Sequence, residues 1–532
     1  MSTVRAQQQQ TRPGIDAVGL RWLAAACGVV AALVTLAVSE AVALFVSPSS
    51  SPLFAVGGWI IDLAPAGFKE WIIHTVGTAD KPVLLISLGV LVLLLALLVG
   101  LLELRWAPWG SVLLAGVSAV AAIAVMTRAG ASVSWLLPTV LGAVAGVLVL
   151  RASVARLRRW RASSAASHRI PSNAQRLDRR SFLVFTLASA AVAIAVGTSA
   201  RIVNAGSVAV TAARQALRLP KAATPAAPVP AGADLRLSDL SSYVTPNDTF
   251  YRIDTALQVP AIDANAWKLT VTGAVDNPFE ISFDELLALP LTEHMLTLAC
   301  VSNEVGGDLI GNALWLGYPI RELLKRAGPH SGMDMVLSTS QDGWSAGTPL
   351  DVLLDDNTEA LLAVGMNGEP LPLEHGFPVR MVVPGLYGYV SATKWVTQLK
   401  VTRFADEIGY WTDKGWSARG PVKTESRIDK PRNGASVKAG QSVIAGVAWA
   451  QHTGIEKVEV RVDGGQWQQA KLAETVSIDT WRQWVLPWQA TSGNHTIQVR
   501  ATDASGYTQT SREAPPAPDG ASGWHAVQVI VS

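Results

Sequence analysis

Hydrophobic positions along the chain fall into three regimes. From Leu20 to about Arg201 they form long runs with few charges. From Leu240 to about Phe404 they gather into short strand-like and helical pieces, and after Ser442 they alternate with polar positions at a period of two. The run Leu20 to Val46 is long enough to cross a bilayer with some tilt, and Val83 to Leu102, Ser111 to Met126 and Trp135 to Leu150 predict three more crossings. Trp106, Trp109 and Trp135 stand at the ends of these runs, where an aromatic belt forms. Leu53 to Thr78 is apolar but interrupted by Pro65, Gly67, Lys69 and Glu70, which predicts an interfacial or re-entrant piece rather than a span. A fifth apolar run covers residues 182–200.

The second regime predicts strands at Trp267 to Val275, Met295 to Ala299, Met335 to Ser340, Val379 to Val383 and Lys394 to Thr402. Helices are expected at Phe283 to Ala288 and Ile320 to Ala327, so this part reads as α+β. The third regime predicts strands at Ser442 to Trp449, Lys457 to Val462, Thr480 to Leu486, His495 to Thr502 and Trp524 to Val531. Glycine turns separate them, the pattern of an immunoglobulin-like β-sandwich without its intersheet disulfide. Leu219 to Asp234, rich in proline and alanine, predicts a semi-extended spacer holding the downstream domains off the membrane. The expected organisation is a tail (1–19), a four-span region (20–150), a basic loop (151–181), a fifth span (182–200), a linker (201–239), an α+β domain (240–424) and an all-β sandwich (425–532).

Charge sets the orientation. Arg5, Arg12 and Arg21 precede the first span, which predicts a cytoplasmic N-terminus. Four spans then return the chain to the cytoplasm before Arg151, where nine arginines and one acidic residue, Asp178, lie between Arg151 and Arg180. Beside apolar spans such a run marks a cytoplasmic loop, so no nucleic-acid partner is expected. The paired Arg179 and Arg180, followed by Phe182 and Leu183, resemble a twin-arginine export signal; the plainer alternative is an ordinary fifth span. Either way, the chain after Arg201 is expected outside the cytoplasm of a multi-pass membrane protein.

The chain holds only two cysteines, and Cys27 lies in the first apolar run. Cys300 therefore has no intramolecular disulfide partner and is either buried and inert, an intermolecular linker, or a ligand. It sits where an apolar strand gives way to a polar, glycine-rich loop, a place that can present one soft thiolate to a metal. The stretches ACVSNEVGGDLIGNALWLG and EHGFPVRMVVPGLYGYVSATKWV resemble the sulfite-oxidase superfamily of molybdopterin enzymes, over a region from about Ser242 to the C-terminus. The resemblance implies an oxidoreductase carrying molybdenum on molybdopterin, with Cys300 as metal ligand. It implies pterin contacts from His375, Arg380, Ser391, Thr393 and Lys394, and from Ser340 at a strand end. Tyr251 and Arg252, in NDTFYR, would reach the cofactor or substrate pocket, Arg252 on an oxyanion. A salt bridge to Asp254 or Asp248 is the blander role for that arginine, and a surface position the blander one for Arg380. The sandwich looks like that family's dimerisation domain and implies a homodimer.

Two departures bear on substrate. Sulfite oxidases carry an active-site tyrosine where this chain has Trp344, and an arginine shortly before the lysine of the last loop, where GYVSATK has none. The substrate is expected to be a small oxyanion such as sulfite or, alternatively, an S- or N-oxide such as methionine sulfoxide, reduced rather than formed. With no C-x-x-C-H motif and no paired histidines in the spans, no haem is expected, and an external cytochrome or quinone-linked membrane protein would carry electrons. The rival from another class is a cofactor-free membrane-anchored binding or sensor protein.

Overall fold

The computed structural model describes residues 17–65, 80–166, 173–204 and 207–532. The chain divides into two compact units, Met1–Ala209 with Thr255–Gln258, and Val210–Asp254 with Val259–Ser532.

Unit one is helical: α1 (Ala17–Val46), α2 (Pro52–Leu63), α3 (Asp80–Arg105), α4 (Trp109–Met126), α5 (Leu136–Ala166) and α6 (Asn173–Asn204), and α7 (Ser207–Ala216) runs across the boundary into unit two. Five of these are long and apolar enough to cross a membrane. With 12 residues α2 is not among them, since it rises only about 18 Å against a hydrocarbon core of about 30 Å. The expected tail through Asp16, the rest of the interrupted segment with Gly67, Lys69, Glu70 and His74, and residues 167–172 of the basic loop lie outside the described residues.

The basic loop is a correction: α5 continues unbroken through Arg151 to Ala166, and Arg179 and Arg180 lie inside α6. Arginine and alanine favour helix, and partners across the helices hold the side chains. Arg156 lies over the Phe185 ring at 3.8 Å. Arg158 Nη2 donates to the Glu103 carbonyl at 2.6 Å, and Arg151 Nε donates to Ser111 Oγ at 3.1 Å. Small residues bring the apolar helices close. A Cβ on Gly28 of α1 would stand 1.9 Å from the Ala96 carbonyl of α3, and one on Gly146 of α5 1.9 Å from Thr35 Oγ1 of α1. Glu40, buried in α1, accepts Ser51 Oγ–H at 2.5 Å.

Unit two begins with an α+β domain. Its strands are β1 (Lys268–Gly273), β2 (Phe279–Ser282), β3 (Thr292–Ala299), β4 (Ile310–Pro319), β5 (Met335–Ser340), β6 (Ser345–Pro349), β7 (Leu361–Met366), β8 (Glu369–Pro370), β9 (Arg380–Val382) and β10 (Val396–Thr402), with helices α8 (Phe283–Leu287), α9 (Ile320–Ala327) and α10 (Leu350–Leu354) between them. One sheet runs β2-β1-β10-β5-β6, the other β3-β4-β7-β8, with β9 on β7. β3 and β4 form an antiparallel hairpin whose last ladder pair is Ala299 with Ile310, so Cys300 opens the connecting loop. Every residue of β7 is buried and nearly all of β4 is, which removes the polar–apolar alternation by which a strand is recognised.

The all-β domain comes next: β11 (Glu425–Lys430), β12 (Ser436–Val437), β13 (Gly440–Trp449), β14 (Ile455–Val462), β15 (Gln468–Gln469), β16 (Lys471–Leu472), β17 (Arg482–Ala490), β18 (Gly493–Asp503) and β19 (Ala526–Val531). Sheets β11-β13-β17-β16 and β12-β19-β18-β14-β15 enclose a core that includes Ile444, Val458, Trp484, Ile497 and Val527. The expected spacer is a second correction, because it is docked along unit two. The Ala223 N–H donates to the Leu291 carbonyl at 2.8 Å, Thr224 bridges Thr292 at the open edge of β3, and Ala233 is fully buried. Covering a sheet edge satisfies backbone groups that would otherwise stay open.

Candidate active site

Four segments of unit two converge at the end of β3. The Cys300 N–H continues the hairpin ladder to the Leu309 carbonyl at 2.9 Å, and the Cys300 carbonyl accepts the Asn303 N–H at 3.1 Å. Asn303 Oδ1 in turn takes the Leu309 N–H at 2.9 Å, which closes the loop. Cys300 is 9% exposed and makes no disulfide. Burial pushes its thiol pKa up, while hydrogen bonding with Ser302 and the nearby Lys394 charge pull it down.

The second segment is Leu373 to Arg380. His375 Nε2 lies 3.1 Å from the Asn247 carbonyl, an acceptor, so that nitrogen carries the proton. Burial first, then the Arg380 and Lys394 charges, lower the His375 pKa to about 3. The ring is therefore neutral, and Nδ1 can only accept. Gly376, at φ 110°, has a backbone that L side chains rarely adopt, and a Cβ there would crowd Arg380 Cβ at 3.0 Å and Lys394 Cα at 3.2 Å.

Arg380 is 5% exposed. Its guanidinium donates from Nη1 to the His375 carbonyl at 3.1 Å, from Nε to the Met381 carbonyl at 3.3 Å, and lies 5.2 Å from the Trp315 ring centre. Burial lowers its pKa to about 10.

The third segment, Gly388 to Trp395, brings Lys394. Its Nζ lies 2.6 Å from Asp254 Oδ2 and donates to the Glu374 carbonyl at 3.0 Å. Burial lowers the Lys394 pKa to about 8 against the opposing pull of Asp254. Asp254, from the fourth segment, also pairs with Arg252, Nε to Oδ2 at 2.9 Å. The arginine expected on an oxyanion is thus held in the salt bridge that was its alternative role. Tyr251 stacks on Phe250. Burial and the neighbouring Cys300 push its phenol pKa well up, with Arg380 pulling the other way.

The hydroxyls divide. Ser391 Oγ donates to the Leu386 and Tyr387 carbonyls at 3.1 and 3.0 Å, and Thr393 Oγ1 shares a 2.7 Å bond with Ser338 Oγ. Both are engaged in holding the loop. Ser340 Oγ, at the end of β5, is buried without a close hydrogen-bond partner, and it acts on the nearby Asp342 carboxyl, whose pKa burial raises and Ser340 lowers. The neighbouring turn places Trp344, whose N–H donates to Asp342 Oδ1 at 3.2 Å. The structure thus gathers Tyr251, Cys300, His375, Arg380 and Lys394 into one electrostatically linked cluster. Asp254 was anticipated only as a partner of Arg252, and nothing in the order of residues signals that it neutralises Lys394 as well.

These residues fit a molybdenum–pterin group. Such a group needs one soft sulfur donor from the protein, fixed cations for its phosphate and hydrogen-bonding groups not already used. Cys300 is the sulfur, Arg380 and Lys394 are the cations, Ser340 Oγ is without a close partner and His375 Nδ1 is unspent. Among the described residues no cluster of three or more His, Cys, Asp or Glu could hold a metal ion. A metal here would rely on ligands that the cofactor brings.

Residues 256–411 match the family model described as an oxidoreductase molybdopterin binding domain, and residues 425–499 match that of a bacterial Ig domain. The chain is 30% identical over 322 residues to the mitochondrial sulfite oxidase of Mus musculus, covering 51% of this chain and 58% of that protein. Against the sulfite oxidase of Arabidopsis thaliana identity is 28% over 329 residues, with 51% and 83% covered. It is 35% identical over 189 residues to the uncharacterized oxidoreductase YuiH of Bacillus subtilis (strain 168), 35% of this chain and 91% of that one. The chain thus spans 58% to 62% of the length of the mouse and human sulfite oxidases it matches. Among solved structures, the sulfane dehydrogenase SoxCD from Paracoccus pantotrophus aligns with TM-score 0.48 and 25% identity, covering 55% of this chain and 86% of that one.

Proposed function

Because the chain belongs to the sulfite oxidase family of molybdopterin oxidoreductases, we propose that unit two binds molybdenum–molybdopterin through Cys300 and transfers an oxygen atom to or from a small oxyanion, S-oxide or N-oxide substrate, outside the cytoplasm. The observation that carries this reading is one buried thiol in electrostatic reach of a buried lysine, with a buried arginine in the same cluster. Molybdenum held by sulfur donors changes oxidation state by two electrons as it gives or takes an oxygen atom. The chain's residues hold and shape that group. Arg380 and Lys394 supply fixed positive charge for a phosphate, Ser340 a hydroxyl and neutral His375 an acceptor, while Tyr251 stays protonated as a donor at the pocket wall.

Sulfite is the first candidate substrate. Reduction of an S- or N-oxide is the second, favoured by Asp254, which pairs with both Lys394 and Arg252 and so reduces the positive charge an anion would meet. An external carrier, a cytochrome or a quinone-linked membrane protein, would exchange the electrons. With five spans and a cytoplasmic N-terminus unit two would lie outside, Arg179 and Arg180 would serve twin-arginine export, and the sandwich would pair two copies in a homodimer.

The test is molybdenum per chain by mass spectrometry on protein from a host that makes the pterin. About one atom is expected in the wild type and none in Cys300→Ser. Wild-type protein without metal would return the chain to the class of binding proteins. Sulfite oxidation with an artificial acceptor, set against S-oxide reduction with an artificial donor, then separates the two substrates.

A further inference from the structure

Two turns of the β-sandwich reach the α+β domain beside Cys300. Residues 450–454 join β13 to β14, and residues 477–481 lead into β17. The first places Gln451 Nε2 on the Thr297 carbonyl. In the second, the Asp479 carbonyl accepts the Thr297 N–H at 3.0 Å and the Trp481 N–H donates to Thr297 Oγ1 at 2.8 Å. Thr297 belongs to β3, the strand that ends at Cys300.

His452, in the first turn, reaches a different segment. Its backbone is left-handed, at φ 61°, uncommon enough for a non-glycine residue to ask what its side chain does. The ring lies on Gly385, itself at φ 78°, where a Cβ would stand 2.3 Å from the imidazole. Nε2 faces the Pro384 carbonyl at 3.0 Å, and Nδ1 faces Asp479 Oδ1 at 3.0 Å. Both neighbours are acceptors. Neutral imidazole has one N–H and imidazolium two, so only the charged ring satisfies both.

Pro384 stands in the turn that joins β9, which begins at Arg380, to the loop carrying Ser391, Thr393 and Lys394. The same turn is fixed by the Gly385 carbonyl accepting the Val422 N–H at 2.9 Å and by the Tyr387 N–H on the Gly420 carbonyl at 2.7 Å. We propose that His452 is a positioning residue: as an imidazolium it ties Asp479 to the Pro384 carbonyl and so holds in register the two arms, Arg380 and Ser391–Lys394, that would hold the cofactor phosphate. The proposal rests on reading those arms as the cofactor cradle.

The groups around the ring agree with a charged state. Asp479 faces it from the 477–481 turn, and Asp355 acts on it from the end of α10. On β3, His294 pairs with Glu359, beside Arg321, and also feels Asp479. The bond to Asp479 raises the His452 pKa, burial opposes it, and the Asp479 charge, the Pro384 carbonyl and Asp355 raise it further. The side chain is 38% exposed, so it titrates with the solvent. The brace is therefore complete below the ordinary imidazole value and loses one of its two bonds as pH rises through the raised one.

The experiment uses the full chain in detergent and its His452→Gln variant. Amide hydrogen exchange over residues 385–391, corrected for its intrinsic pH dependence, is expected to accelerate about tenfold in the wild type between about pH 6 and about pH 9, and to be fast at both in the variant. Molybdenum retained after incubation should follow the same pattern. A wild-type turn equally protected at both pH values, or a variant that keeps the wild-type dependence, overturns the proposal. Exchange that responds while molybdenum retention does not overturns the role in the cradle. Wild-type protein holding no molybdenum overturns the cofactor reading instead, and the exchange comparison of wild type with His452→Gln, which needs no metal, still decides whether His452 pins the turn.

Discussion

Lys394 and Arg380 bring two positive charges into a site where each is at most 9% exposed. Such charges are tolerated only when paired or hydrogen-bonded. Arg380 relies on carbonyls and the Trp315 face, whereas Lys394 relies on Asp254, whose side chain is 6% exposed. Replacing Lys394 with Met leaves that carboxylate to Arg252, the more exposed of its two cations. The change is expected to destabilise unit two by about 3 kcal/mol, read as a lower thermal midpoint, and to abolish molybdenum binding. Lys394→Arg should recover most of the stability, because it restores the pair. A Met variant as stable as the wild type would mean that the pair contributes nothing.

At the scale of elements, β11 is the hinge between chemistry and scaffold. Its Arg427 donates from Nη1 to the Gly307 carbonyl at 2.7 Å, holding the loop that follows Cys300. Its first residue, Glu425, is 5% exposed, with Oε1 buried and unpartnered. Burial raises the Glu425 pKa from 4.5 to about 8, with the Lys423 charge pulling it down. Between those values the folded carboxyl keeps a proton that the unfolded chain has released, so stability falls as pH rises. The loss is on the order of 3 kcal/mol at pH 7. Glu425→Gln removes that slope. Its thermal midpoint should match the wild type near pH 4.5 and exceed it increasingly towards pH 8, and parallel curves for the two proteins would exclude the buried acid as the cause.

For the molecule as a whole, the segment between the apolar helices and the α+β domain belongs to the folded unit. Arg214 donates from Nε to the Leu371 carbonyl at 2.7 Å and from Nη2 to the Pro370 carbonyl at 2.6 Å. Leu219 and Ala222 pack against the core of unit two. A chain cut to begin at Ala231 loses these contacts and uncovers the edge of β3, while one cut to begin at Val210 keeps them. The shorter protein is expected to be less stable by about 3 kcal/mol and more prone to self-association, measurable by thermal melting and light scattering. Equal midpoints would restore the segment to the role of a free spacer.

The order of residues by itself determined what depends on neighbours along the chain. Apolar run length placed the five long helices, and periodicity placed β5 at Met335–Ser340 and α9 at Ile320–Ala327 residue for residue. Contiguous motifs singled out Cys300, Arg380 and Lys394. Only the tertiary structure decided what depends on residues brought together from afar. β4 and β7 were hidden because burial on both faces erases alternation. The arginine-rich segment became helix because partners on other helices hold its side chains. Asp254 meets Lys394 across 140 residues of sequence, and His452 meets Pro384 across 68. Periodicity records which way a side chain points but not what waits there, and the charge states of buried lysine, histidine and glutamate are fixed by that surrounding.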